Sequence, residues 1–207
     1  MSPTLRKVAL TSHVTSSVGW LGAVLVYLTL AVSATRGGDL VDVRAAYRAM
    51  DAIGWTVLVP LSLAALATGL VQGLGTDWGL FRYWWVATKL MLTVAATLVL
   101  VRYMSTVSGL LPTTDWSTVD GAASRLRIQP LVHAGGGLLV LVVTTALSVF
   151  KPWGRTPHGR RHAFRVSPDS AMPTVPSTWR NYLWLGLIAL FLLLLAMHLA
   201  GGRMPHH

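Results

Sequence analysis

Four ionisable side chains fall inside apolar runs of this 207-residue chain: His13, Lys89, His133 and His198. A neutral imidazole in such a setting can ligate haem iron or copper, and any ionisable side chain within a span is costly enough to mark a functional site by default. His13, His133 and His198 are therefore candidate metal ligands, and all four residues are candidates for binding a cofactor. Each also has a plainer reading. The histidines can be hydrogen-bonded packing residues, and Lys89 and His198 can reach along the helix to the membrane surface. His158, His162, His206 and His207 lie in connecting or terminal segments and are set aside. The chain has no cysteine, which excludes disulfides, thiolate metal centres and covalently attached c-type haem. It has no P-loop and no dinucleotide-binding fingerprint.

The elements that must position these residues are set by apolar length. The chain is 53% hydrophobic and only 12% charged, and its apolar residues gather in blocks near the ~20 residues that a membrane helix needs. The blocks predict five spans, at about 9–34, 54–74, 83–104, 130–150 and 182–199, all helical because lipid cannot satisfy open backbone. The expected architecture is all-α, a single polytopic membrane domain over 1–207 with a four-helix core and a peripheral fifth span. The first block follows Arg6 and Lys7 but is too long for the apolar core of a signal peptide. Pro60 should disturb the second span. Residues 36–52 mix apolar with charged side chains, as a short amphipathic helix along the membrane surface would.

The formal charge of +10 sits between the apolar blocks, an arrangement that suits membrane anchoring rather than nucleic acid. With five spans, Lys and Arg divide nine to seven in favour of the side carrying the N-terminus, helped by the basic loop 151–180. That bias predicts a multi-pass protein of the plasma membrane with a cytoplasmic N-terminus, an external C-terminus and anionic lipid at the basic loop.

Helical spacing then sorts the candidates. The face of His13 continues through Ser17, Trp20 and Tyr27, and that of His133 through Gly137, Thr144 and Ser148, with room for a flat ligand against Gly135 to Gly137. Lys89 shares a face with Thr93, Ala96 and Tyr103, whereas His198 closes a helix that is Leu-rich all round. At about 1.5 Å of rise per residue, His13 and Lys89 fall in one layer, and His133 and His198 in a layer nearer the other membrane surface. On that placement His13 and His133 cannot ligate a single iron.

The stretches Ser12-His-Val and Gly19-Trp-Leu-Gly-Ala, with Trp84-Trp-Val-Ala-Thr-Lys89 later, resemble the superfamily of copper-resistance D-type membrane proteins and haem-containing membrane protoporphyrinogen oxidases. The ending Leu147-Ser-Val-Phe-Lys-Pro-Trp-Gly-Arg-Thr resembles the end of the same helix in an uncharacterised actinobacterial integral-membrane family. The resemblance implies a b-type haem or porphyrin-related site in a small helix bundle, with His13 and Lys89 at the positions of the oxidases' functional histidine and lysine. The chain departs from the oxidases in its expected fifth span and in Leu28-Thr-Leu at the end of the first.

The leading expectation is a membrane protein that binds haem b through buried histidines and exchanges electrons with quinone or a redox partner. A copper or small-solute permease is one alternative, although Met50, Met91, Met104 and Met197 are scattered. The other is a structural subunit of a membrane assembly, for which Gly69 and Gly73 offer a close-packing face and oligomerisation is an open expectation.

Overall fold

The computed structural model describes residues 2–36, 40–75, 80, 82–113, 119–150, 154 and 156. Its elements are all helical: α1 (Pro3–Thr35), α2 (Leu40–Ile53), a π-helical turn (Gly54–Leu58), α3 (Val59–Gly75), α4 (Trp84–Thr113) and α5 (Val119–Phe150). Among the described residues, four helical stretches are long and apolar enough to cross a membrane: Pro3–Thr35, Val41–Gly75, Trp84–Pro112 and Ile128–Phe150. The expected fifth span at 182–199, its His198 and nearly all of the loop 151–180 lie outside the described residues.

Local chemistry explains where the helices begin and bend. Ser2 caps α1, its hydroxyl accepting from the Leu5 N–H at 3.3 Å, and Pro3 opens the first turn, where a missing N–H costs nothing. Pro60 cannot donate to the carbonyl one turn before it. The helix absorbs the defect immediately upstream, where the Val59 N–H reaches five residues back to the Gly54 carbonyl. Hydroxyls within the helices bond back to their own turns, as Thr93 does to Lys89 and Thr145 to Leu141, so they need no partner outside the helix.

The amphipathic segment expected to lie on the membrane surface is instead part of a longer element. α2 runs through the π turn into α3, and its apolar face, with Val43, Tyr47 and Met50, is buried in the core beside α1. A protein neighbour, rather than the bilayer surface, takes up that face. Trp55 and Asp51 tie this element to α4: the Trp55 indole donates to Ser108 Oγ at 2.8 Å, and Ser108 donates to Asp51 Oδ1 at 2.5 Å.

The packing forms a ring in which α1 and α4 each contact both α3 and α5. Neighbours run antiparallel. Gln72 of α3 reaches the carbonyl of Ala9 in α1, Trp55 meets Ser108, and Lys89 of α4 meets Ser148 of α5. The main core gathers Trp20, Tyr27, Met50, Leu58, Met104 and Leu141 between the helices, while Val18, Leu98 and Phe150 remain more than 60% exposed. Large apolar side chains on the outside suit lipid as solvent, where association relies on close packing rather than on hydrophobic burial. Close packing is provided by Gly54, whose missing Cβ leaves space filled by Met104, and by Gly19 against Leu61.

Candidate functional site

Among the described residues, two cavities between the helices separate the sequence-predicted residues. The larger, about 820 Å³, is bounded by α1, α3, α4 and α5 and carries His13 and Lys89, with Arg6, Gly69, Gly73 and Ser148 also on its wall. The smaller, about 110 Å³, lies where Trp20, Tyr27, Tyr103 and His133 converge. His13 and His133 thus belong to different cavities, and His198 lies outside the described residues.

His13 is half-buried on α1, and its ring crosses to α3. Its Nδ1 lies 3.0 Å from the Ala65 carbonyl oxygen and 3.1 Å from Thr68 Oγ1. The Thr68 hydroxyl donates to the Ala64 carbonyl at 2.6 Å, so both groups facing Nδ1 act as acceptors. Nδ1 therefore carries the proton and donates it, which leaves Nε2 with the lone pair. The ring fits against α3 because residue 69 is glycine: a Cβ there would stand 3.2 Å from His13 Cε1. The glycine pair expected to form a helix-packing face is divided between this ring and Leu80, which lies against Gly73.

Lys89 does not reach for the surface. Its Nζ donates to Ser148 Oγ at 2.8 Å, and Ser148 in turn donates to the Thr144 carbonyl at 2.9 Å. Among the described residues no carboxylate pairs with Lys89 or with Arg6. The cavity thus holds one imidazole with its acceptor nitrogen defined, one ammonium held by a hydroxyl, and a guanidinium at its edge, in walls that are otherwise largely apolar. That set suits an amphiphilic ligand carrying an acidic group and an atom that accepts a lone pair.

In the smaller cavity the His133 Nδ1 donates to the Gln129 carbonyl at 2.9 Å, which again leaves the lone pair on Nε2. Its ring stacks on Tyr103, with centroids 3.9 Å apart and planes 12° from parallel. Gly136 and Gly137 line the same space, close to the glycine wall expected from the sequence.

Sequence reasoning missed the acceptors that orient His13, because Ala65 acts through its backbone and Thr68 reads as an ordinary helix residue. It also missed Arg6, since charge just before a span reads as an orientation signal. Tyr27 shares the face of His13 and Tyr103 that of Lys89, but nothing in the sequence brings the two tyrosines together. Among the described residues no three of His, Asp and Glu converge as a metal-binding cluster. No protein-family model, curated protein or solved structure matches the chain.

Proposed function

We propose that this chain is a multi-pass plasma-membrane protein that binds b-type haem in the His13–Lys89 cavity and serves a redox or haem-related role. The observation that carries this reading is the hydrogen bond from His13 Nδ1 to the Ala65 carbonyl, at the wall of a cavity that also holds Lys89 without a carboxylate partner. Histidines that ligate metals commonly donate the other ring N–H to a carbonyl or carboxylate, which fixes the tautomer and raises the basicity of the ligating nitrogen.

The residues fit such a group. His13 Nε2 would hold the iron, Lys89 and Arg6 would meet two carboxylates, and Gly69 and Gly73 would leave the wall low beside a flat ring. A volume of about 820 Å³ falls within the usual range for cofactor sites. Bound haem would supply one-electron chemistry. The chain's own part is to orient the ligand through His13, to hold its acidic groups through Lys89 and Ser148, and to keep water out with apolar helix faces.

In this reading the N-terminus is cytoplasmic, the fifth span follows the basic loop, and that loop meets anionic lipid. The resemblance to the copper-resistance D-type and haem-containing oxidase superfamily belongs to the same proposal. A copper permease draws less support, because Met50 and Met104 are fully buried packing residues rather than a ligand row. Haem content per chain, measured after purification in detergent from cells supplied with a haem precursor, tests the reading. A ratio near one supports it, and an absence of haem in wild-type protein rejects it.

A further inference from the structure

We infer that Thr68 is a positioning residue whose hydroxyl acts through His13 to lower the reduction potential of iron held in the larger cavity. The inference rests on the haem reading above and adds a residue to it. Thr68 follows Ala65 by one turn of α3, so both present an acceptor to the same ring. At His13 Nδ1 the Ala65 carbonyl oxygen lies at 3.0 Å and Thr68 Oγ1 at 3.1 Å, and the one N–H is shared between them. Gly69, the next residue, lets the imidazole lie close enough to α3 to reach both. The carbonyl alone is enough to set the tautomer, so the hydroxyl contributes something else.

That contribution follows from where the hydroxyl hydrogen goes. It is donated back to the Ala64 carbonyl at 2.6 Å, with the Ala65 carbonyl also 3.2 Å away, so Oγ1 has only lone pairs to offer the imidazole. A hydroxyl that donates is the better acceptor, because hydrogen bonds in series polarise one another. Two acceptors on one N–H draw the proton toward α3 and leave the ring richer in electrons. An electron-rich imidazole favours ferric over ferrous iron at Nε2, the sense in which outer hydrogen bonds tune a metal through its histidine. Thr68 is not on the cavity wall, so it reaches a bound ligand through the ring. Thr93 offers the contrast: it lines the cavity, but its hydroxyl donates to the Lys89 carbonyl of its own helix.

The test is a spectroelectrochemical titration of the haem-loaded full chain in lipid nanodiscs. Thr68→Val keeps the branched shape and removes the hydroxyl. Its potential should rise, by about 59 mV if ferric haem loses tenfold in affinity relative to ferrous. Thr68→Ser should restore the wild-type value, and Thr68→Asp, which sets a carboxylate in the acceptor position, should bring the potential below it. Thr93→Val changes the cavity wall without touching the ring and should leave the potential where it is. An unchanged potential in Thr68→Val, or an equal rise in Thr93→Val, would overturn the inference and leave the haem reading standing, whereas wild-type protein that takes up no haem overturns both. Should Thr68→Val fail to hold haem, Thr68→Asp decides alone, and a potential at or above the wild-type value rejects the inference.

Discussion

His13 and Ala65 are joined across two helices by a hydrogen bond of 3.0 Å from the imidazole Nδ1 to the backbone carbonyl. A carbonyl can only accept, so this one contact defines which ring nitrogen is left to act as a ligand or a base. Ala65 is 3% exposed and sits within α3, so the imidazole is held by the backbone of a helix rather than by another side chain's rotamer.

The ring depends on the glycine beneath it. In Gly69→Ala the new Cβ would lie 3.2 Å from His13 Cε1, and the imidazole must give way by a few tenths of an ångström. The expected outcome is a folded protein whose haem affinity falls about fivefold, on the order of 1 kcal/mol, the low end of overpacking costs. Haem titration followed by absorbance checks it, and Gly69→Val should lose more.

Lys89 is expected to select for acidic groups on the ligand. Lys89→Met keeps most of the apolar stem, and Ser148 retains its bond to the Thr144 carbonyl. Wild-type protein should prefer haem over its dimethyl ester by roughly tenfold or more, as a hydrogen bond to a charged group worth about 1.5–3 kcal/mol implies. In the variant that preference should narrow to the part that Arg6 supplies. A competition titration measures both preferences.

Architecture and site can be separated through Gly54. A Cβ there would clash with the Met104 side chain, which is fully buried. Gly54→Ala should destabilise the bundle by about 1–3 kcal/mol, seen as a lower Tm in detergent, while sparing the absorbance of bound haem below the transition. Placed in a Met104→Ala background, the same substitution should cost much less, because the atoms it strikes are gone.

Much of this frame is legible in the sequence. Apolar runs foretell helices that end near Gly75 and Phe150 and begin near Trp84, because lipid permits little else. The start of α5 at Val119 is not legible, since Asp120, Arg125 and Arg127 read as a loop although a helix can carry them outside an apolar layer. The burial of Tyr47 and Met50 is hidden for a related reason: an amphipathic face does not reveal whether lipid or a neighbouring helix will cover it. Depth counting along antiparallel helices does put His13 and Lys89 in one layer and His133 in another, which matches their two cavities. Rotation about each helix axis is what the count lacks. The orienting carbonyl of Ala65, the hydroxyl of Ser148 and the stack of His133 on Tyr103 all depend on it.

The central claim, that His13 is the ligand in a haem-binding cavity, is tested most directly by the Soret spectrum of the purified protein beside two single substitutions. A Soret band is expected in the wild type, lost in His13→Ala and retained in His133→Ala. No band in wild-type protein supplied with haem, or a band that survives His13→Ala unchanged, would contradict it.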